Sequence, residues 1–314
     1  MQGTSSLLMP KLEDAKRVPV ERPRPTFPVT VIIPVRNEAR NLPRCLESVR
    51  GAGEVYVIDS QSTDATIEVA ESYGAHVVQF QYRGGWPKKR QWAMESLPIS
   101  CEWILLLDAD EIVTPELEQE MRSAIQNSAV DGYYVCLRMH FLGRILRHGD
   151  ANFWKLVLFR RGKGRYECRF RDQDSSMADM EVHEHIVVDG STSRLRSALI
   201  HNNIESLDRY IQKHNEYSNW EARVLLLGEQ NALELPPSLL GTQAQRRRWL
   251  KKKLYGLPGS PVVLFLYRYF LRLGFLDGVP GLIYCGFQAM QMFHTKSKIY
   301  ELKSRLQQEA AKGN

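Results

Sequence analysis

The chain is poor in cysteine, and its cysteines do not form the close pairs that zinc sites use. The five residues, Cys45, Cys101, Cys136, Cys168 and Cys285, are widely spaced and contain no Cys-x-x-Cys pair. This spacing argues against a zinc site and against a disulfide framework. A reducing compartment is the simpler interpretation, because disulfide-stabilised domains belong to oxidising ones.

Long apolar runs are also missing. Residues 1–26 lack the apolar stretch of a signal peptide, and their proline and charge content predicts a disordered lead-in. The most apolar segment, residues 261–293, is interrupted by Arg268, Arg272 and Asp277, whereas a membrane span needs about 20 mostly apolar residues. We therefore expect a helix pair that lies on, or dips into, a membrane face, with a buried helical hairpin as the alternative.

The composition is that of a globular protein with basic character. The 314 residues suit one large domain or two modest ones, and 43% of them are hydrophobic. The net charge of +6 favours anionic partners such as nucleotide pyrophosphates or lipid phosphates. Nucleic acid is not expected, since no RNA- or DNA-binding motif is present.

Apolar, β-branched segments alternate with helical patterns through the first half of the chain. Strands are predicted at residues 29–35, 54–59, 75–80 and 103–108, and helices at 37–49, 62–73, 88–97 and 115–127. Such alternation predicts an α/β fold with a doubly wound, mostly parallel sheet. Ligands bind such sheets beyond the carboxyl ends of the strands, where Asp59 and Asp108 fall.

A pair of carboxylates, Asp108 and Asp110, follows the fourth predicted strand, with Glu111 directly after it. Two hard oxygen ligands at a strand end suit Mg²⁺ or Mn²⁺, whose remaining positions phosphate oxygens and water can fill. The metal would stabilise a leaving nucleoside diphosphate. A solvated turn is the alternative.

A second acidic motif, residues 59–64, follows the second predicted strand. Asp59 is placed to accept hydrogen bonds from a base or ribose. Asp64 is better explained as a cap or as a favourable charge at the N-terminus of the next helix.

These motifs together resemble a known family. The matching segments, in chain order, are Val31-Ile-Ile-Pro-Val-Arg-Asn-Glu38, Asp59 to Asp64, Lys88-Lys-Arg-Gln-Trp-Ala-Met94, Leu107-Asp-Ala-Asp-Glu111 and Val182-His-Glu184. Over residues 30–201 the chain resembles the family 2 inverting glycosyltransferases with the GT-A fold. The bacterial enzymes of lipopolysaccharide-core and exopolysaccharide assembly are the most similar in pattern.

The resemblance implies a nucleotide-sugar donor, with a UDP-sugar favoured, and Mg²⁺ or Mn²⁺ as cofactor. It implies these roles for particular residues: Pro34, Arg36 and Glu38 border the nucleotide, Asp59 contacts the base, Asp108 contacts the ribose or metal, and Asp110 is the principal metal ligand. His201 is a candidate for completing the metal shell, although a lone histidine is more often structural.

Three consecutive cations, Lys88, Lys89 and Arg90, are suited to donor phosphates, and we assign Lys89 and Arg90 to the nucleotide site. The alternative is a solvated helix start.

Glu184 is the candidate catalytic base. Inversion needs a carboxylate that takes the proton of the acceptor hydroxyl as its oxygen attacks the anomeric carbon. The alternatives are that Asp179 or Glu181 is the base, or that Glu184 only orients His183.

A basic stretch near the C-terminus contains Gln245-Arg-Arg-Arg-Trp249, which spells the QxxRW motif of processive family members. Its distance from Glu184 and the lack of a membrane channel argue against processivity. The cations of residues 246–248 and 251–253 suit anionic lipid headgroups instead.

The sequence thus predicts three regions: residues 1–26 as a lead-in, 27–205 as a GT-A nucleotide-sugar transferase domain, and 206–314 as a helical, membrane-associating extension. We expect an inverting, metal-dependent sugar transfer to a hydroxyl of a lipid-linked, lipopolysaccharide or exopolysaccharide acceptor, on the cytoplasmic face of a membrane. One rival is a nucleotide-sugar-binding protein without activity. Another is a sugar nucleotidyltransferase, which is disfavoured because Arg36-Asn-Glu-Ala stands where a glycine-rich loop would follow the first strand.

Overall fold

The computed structural model describes residues 27–168, 179, 181, 184–202, 206–227, 236–241 and 243–312. The predicted lead-in, and residues 182 and 183 of the Val-His-Glu motif, lie outside the described residues. The elements in chain order are β1 Phe27–Val35, α1 Leu42–Ser48, β2 Ala52–Asp59, α2 Thr66–Ser72, β3 His76–Gln79, α3 Lys89–Ser96, β4 Trp103–Leu106, β5 Glu111–Val113, α4 Pro115–Ala124, β6 Gly132–Phe141, β7 Arg144–Ile145, β8 Phe153–Arg160, β9 Gly164–Tyr166, β10 Ile186–Val188, β11 Thr192–His201, α5 Leu207–Leu227, α6 Gln243–Gly256, α7 Ser260–Leu266 and α8 Gly278–Lys312, with a π-helical turn at Tyr267–Leu271 and a 3₁₀ turn at Gly274–Asp277 between the last two.

One large sheet organises the chain, in the order β3-β2-β1-β4-β8-β6-β11-β5. Its first four strands are parallel, as predicted. Strand β8 then joins β4 and β6 in antiparallel pairing, and β11 runs parallel to β6. The predicted α/β class with a largely parallel sheet is therefore confirmed, and β5 and β8 add the antiparallel pairs.

The central strand β1 is apolar on both faces. Val31 and Ile33 join one core cluster, whereas Ile32 points into the other, and all three are fully buried. Helices cover both sides of such a strand, which explains why its sequence is continuously hydrophobic instead of alternating.

The first two helices are shorter than the sequence predicted. Helix α1 begins at Leu42, not near Asn37, because Asn37 has a left-handed φ of 56°. Helix α2 begins at Thr66, not at residue 62 as predicted. The carboxylate of Asp64 instead accepts the Thr66 amide at 3.1 Å, which supports the capping role predicted for Asp64.

The C-terminal helices pack against the sheet domain. Helix α5 packs along α8, and Phe141 of β6 lies edge-on to Tyr210 of α5 and Tyr284 of α8. Among the described helices, none has both the length and the apolar content to cross a bilayer. The boundary predicted at residues 205 and 206 stays a prediction.

The apolar segment after α6 is not a buried hairpin. Val262, Leu271 and Val279 are 63%, 76% and 68% exposed. Large apolar side chains in this region therefore face outward, which excludes the buried helical hairpin that the sequence left as an alternative.

Candidate active site

The predicted site residues converge on one large cavity at the carboxyl ends of the parallel strands. Its volume is about 1450 Å³, and the sheet forms one wall while helices α5 and α8 form the other. Nine of the ten predicted residues line it: Pro34, Arg36, Glu38, Lys89, Arg90, Asp108, Asp110, Glu184 and His201. The sequence motifs are thus brought together as expected for a doubly wound sheet.

Asp59 is the one predicted residue that does not line this cavity. It is fully buried at the end of β2, and its carboxylate accepts from the Ser62 amide at 3.0 Å and from Gln79 at 2.9 Å. These bonds shape the loop whose next residues, Ser60 and Gln61, do reach the cavity. Its predicted contact with the base stays a prediction.

Asp108 lies between two cations. Its Oδ2 accepts from Lys155 Nζ at 2.8 Å, and its Oδ1 is in short contact with the Arg90 guanidinium. Burial raises the pKa of the Asp108 carboxyl, but the charges of Arg90 and Lys155 outweigh burial and hold that pKa well below its ordinary value. Asp108 is therefore ionised, with both oxygens engaged by side-chain cations.

Lys155 was not among the predicted site residues. This residue lies on β8, beside β4, and its Nζ also lies 3.0 Å from Glu111. Its only sequence signal is a cation near the start of a mostly apolar strand. The antiparallel pairing that places it against Asp108 is not predictable from local pattern.

Asp110 and His201 face each other at the cavity wall. The Oδ1 atom of Asp110 lies 3.4 Å from Nδ1 of His201, and within the described part of the chain neither atom has a hydrogen-bond partner. The pairing of β5 with β11 sets this approach, and the Asn202 amide fixes the Asp110 carbonyl at 2.8 Å. The two buried atoms lie within ion-pair distance of each other, and a shared cation could bridge them.

The pair fits a divalent cation. Carboxylate oxygen and imidazole nitrogen both bind Mn²⁺-like metals, and phosphate oxygens and water can complete the shell. Among the described residues no group of three or more His, Cys, Asp or Glu side chains is arranged around one point. Asp110 and His201 would therefore act together with the donor phosphates, not as a closed protein cage.

The cations at the start of α3 are buried, so the alternative of a solvated helix start is wrong. Lys88 and Lys89 have no exposed surface, and Arg90 is 6% exposed. Each pairs with one carboxylate of the segment after β9, and these pairs are Lys88 with Glu184 at 3.2 Å, Lys89 with Asp179 at 3.0 Å and Arg90 with Glu181 at 3.8 Å. These pairs tie Asp179, Glu181 and Glu184 to the start of α3.

The three candidate bases differ in their surroundings. Asp179 bonds Ser60 as well as Lys89, and although burial raises its pKa, Lys89 and Ser60 bring the pKa below its ordinary value. Burial raises the pKa of Glu181, which accepts the Gln91 amide at 2.9 Å. All three carboxylates line the cavity, and Glu184 is the one that pairs with Lys88. His183 lies outside the described residues, so the orienting alternative is untested.

Helix α5 contributes residues that the sequence did not reveal. Arg209 donates to the Asn37 carbonyl at 2.7 Å, and Lys213 lies 3.2 Å from Glu38. Farther along the same helix, Tyr217 and Trp220 face the cavity. The helical C-terminal region is therefore part of the site, although its sequence shows only helical periodicity.

Arg248 of the basic helix α6 does not point to solvent as the lipid interpretation required. Both of its terminal nitrogens bond the buried carboxylate of Glu167. The exposed Arg246 on the same helix is compatible with that interpretation.

A mostly parallel α/β sheet with acidic and basic side chains gathered at its strand ends is the arrangement of a GT-A fold. Residues 30–187, about half of the chain, match the family model described as Glycosyl transferase family 2. The chain belongs to this family and is a glycosyltransferase.

Curated relatives cover nearly the whole chain. The lipopolysaccharide core biosynthesis glycosyltransferase LpsC of Rhizobium meliloti (strain 1021) is 28% identical over 291 residues, 90% of this chain and 96% of LpsC. An uncharacterized glycosyltransferase of Rickettsia conorii (strain ATCC VR-613 / Malish 7) is 25% identical over 289 residues, 89% of this chain and 93% of the relative. The chain is thus related to an enzyme of lipopolysaccharide core biosynthesis.

Similarity to solved structures is weaker. The glucosyl-3-phosphoglycerate synthase of Mycobacterium tuberculosis, in complex with Mn²⁺, uridine diphosphate and glucosyl-3-phosphoglycerate, has a TM-score of 0.29 and 20% identity. The match covers 37% of this chain and 44% of the synthase, less than half of its length. A likeness of this size supports no statement about activity.

Proposed function

We propose that this glycosyltransferase moves a sugar from a nucleotide-sugar, with UDP favoured, to a hydroxyl of a lipid-linked, lipopolysaccharide or exopolysaccharide acceptor, with inversion at the anomeric carbon. The observation that carries the proposal is that Oδ1 of Asp110 and Nδ1 of His201 lie 3.4 Å apart at the wall of the cavity that Glu184 also lines. The relationship to LpsC supports the acceptor class.

Asp110 and His201 are the residues that would hold Mg²⁺ or Mn²⁺. When bound, the cation supplies positive charge for the leaving nucleoside diphosphate. Asp108 has a different task in this scheme, because Arg90 and Lys155 engage both of its oxygens. It fixes those two cations at the cavity wall, where they can face donor phosphates.

Glu184 would act as the base. Its carboxylate accepts the proton of the acceptor hydroxyl while that oxygen forms a bond to the anomeric carbon. The bond from that carbon to the diphosphate oxygen breaks at the same time, and the diphosphate leaves with the electron pair. Lys88 would hold that carboxylate in position, because its Nζ lies 3.2 Å from Oε2 of Glu184.

The test is nucleoside diphosphate release from a panel of UDP-sugars, with rough-type lipopolysaccharide as acceptor, with and without Mn²⁺. Asp110→Asn and Glu184→Gln should each lower kcat by about 100-fold or more, in the range of lost acid–base and electrostatic groups. Glu216→Gln, at an exposed position of the same cavity, is the matched control and should stay near wild type. Full activity of either test variant would remove that residue's assigned role. Pyrophosphate release in place of nucleoside diphosphate would favour a nucleotidyltransferase.

We also propose that the enzyme is peripheral to the cytoplasmic face of a membrane with anionic lipids. The surface in question comprises α7, the two short turns and the start of α8, where exposed apolar side chains include Val262, Phe270, Leu271 and Val279. Residues 243–276 hold six Lys or Arg at 246–253 and two at 268 and 272, with no Asp or Glu. An apolar patch with basic flanks is suited to an anionic headgroup layer.

Vesicle co-sedimentation tests this part separately. The full chain should bind vesicles of phosphatidylglycerol and phosphatidylcholine, and a Phe270→Ser/Leu271→Ser variant should bind more weakly. Retention of binding by that variant, or equal binding to vesicles of phosphatidylcholine alone, would contradict the proposed surface.

A further inference from the structure

Helix α6 reaches the segment that carries Glu184 through one ion pair. The Nη1 atom of Arg248 lies 2.7 Å from Oε2 of Glu167, and its Nη2 is in short contact with Oε1. Glu167 follows β9 directly and is 1% exposed. A two-point guanidinium–carboxylate pair of this kind fixes both distance and direction.

Glu167 in turn fixes the backbone beside Glu184. The Glu167 amide donates to the carbonyl of His185 at 3.0 Å, and the His185 amide donates to Oε1 of Glu167 at 2.9 Å. His185 follows Glu184 directly in the chain. One carboxylate therefore joins Arg248 to the residue next to the proposed base.

We propose that Arg248 is a positioning residue that holds Glu184 in place through Glu167 and His185. The inference rests on the proposed function, because it presupposes that Glu184 takes the acceptor proton. Arg248 is not among the described residues that line the cavity, so it acts through the two others. Glu184 also has its own anchor at Lys88, and Arg248 secures the opposite side, the start of β10.

The physical consequence of losing Arg248 follows from the burial of Glu167. A buried carboxylate without its cation is costly to keep in place, so we expect Glu167 to shift in the variant, and a shift weakens its bond to the His185 amide. Proton transfer needs the base within hydrogen-bond reach of the hydroxyl. A displacement of about 1 Å at a reacting group costs up to about 100-fold in rate.

The test compares Arg248→Met, Arg248→Lys and Glu167→Gln with Arg246→Met, which removes an exposed cation from the same helix. The readouts are kcat and donor KM for UDP release from the best UDP-sugar of the panel, and the pH–rate profile of each variant. We expect Arg248→Met and Glu167→Gln to lower kcat by about 10- to 100-fold with unchanged donor KM. The acidic limb of their pH–rate profiles should shift along the pH axis. Arg248→Lys should lose less kcat than Arg248→Met, because lysine keeps the positive charge but not the two-point guanidinium geometry.

Each other outcome is decisive. A purely structural role would reduce the active fraction and leave the shape of the pH–rate profile unchanged, which would overturn the proposal. An equal loss in Arg246→Met would assign the effect to the charge of α6 and also overturn it. If Arg248→Met does not fold, Glu167→Gln tests the same link with a side chain of the same shape. If the wild-type chain transfers sugar and the variants are unaffected, only this proposal is refuted. If the wild-type chain releases no UDP from any donor, the proposed function and this inference are refuted together.

Discussion

The ammonium group of Lys88 lies 3.2 Å from the carboxylate of Glu184, and neither side chain has exposed surface. The indole ring of Trp220, from helix α5, lies 4.8 Å from the same ammonium group. The proposed base is thus held by a buried ion pair that helix α5 covers. Such pairs add little net stability when formed, but breaking one leaves an uncompensated buried charge.

Lys88→Met should therefore lower the free energy of unfolding by about 3–5 kcal/mol. Urea denaturation followed by circular dichroism measures this difference. Lys163→Met removes an exposed lysine near β9 and should change the unfolding free energy by less than about 0.5 kcal/mol. Equal denaturation midpoints for the two variants would show that the Lys88–Glu184 pair is not formed as described.

Metal binding can be measured without activity. Mn²⁺ is titrated into the full chain with UDP present, and binding is followed by electron paramagnetic resonance. The dissociation constant for Mn²⁺ should rise at least about tenfold in Asp110→Asn and in His201→Gln, because each variant would remove one ligand. Asp64→Asn is the matched control, because Asp64 bonds the Ala39 and Thr66 amides and does not line the cavity. Unchanged Mn²⁺ affinity in both test variants would refute the proposed ligand pair.

The parts of the fold that were predictable are those specified by local pattern. The continuous apolar runs of β1 and β4 and the periodicity of α5 gave the correct element types, because burial on two faces or on one stripe leaves its mark within a few residues. The boundary at α2 was wrong because Ser62, a good capping residue, bonds Asp59 and the Asn37 amide instead.

The site was predictable only where motifs sit at strand ends. Asp108 and Asp110 follow β4 directly, so sheet topology alone brings them to the cavity. Lys155 and Arg209 come from an antiparallel strand and from a distant helix, and no local spacing encodes their contacts with Asp108 and Glu38. The burial of Lys88 could likewise not be predicted from the sequence, because a run of cations ordinarily indicates a solvated surface.

Acid stability should depend on Asp179. Its pKa is depressed by Lys89 and Ser60 in the folded chain, in spite of burial, so the unfolded chain binds more protons than the folded chain as the pH falls. The stabilisation is present above the ordinary pKa of about 4 and is lost as the pH falls through the lower folded-state value. Thermal unfolding from pH 7 to pH 3 should show a higher Tm for wild type than for Asp179→Asn at pH 7, with the gap closing below about pH 4. Glu116→Gln replaces an exposed carboxylate at the start of α4, and its difference in Tm from wild type should not shrink as the pH falls. A difference in Tm between wild type and Asp179→Asn that stays constant from pH 7 to pH 3 would contradict the linkage.

The last prediction concerns the strand that leads to Glu167 and the Glu184 segment. A Cβ atom added at Gly164 of β9 would lie 2.2 Å from the ring of Phe159, which is fully buried and has no room to shift. Gly164→Ala should therefore destabilise the fold by about 1–3 kcal/mol, the usual cost of overpacking. Gly286→Ala in helix α8 meets nothing within 4 Å and should raise stability by up to about 1 kcal/mol, because alanine is the better helix former. A urea midpoint for Gly164→Ala equal to or above that of wild type would rule out the tight contact between Gly164 and Phe159.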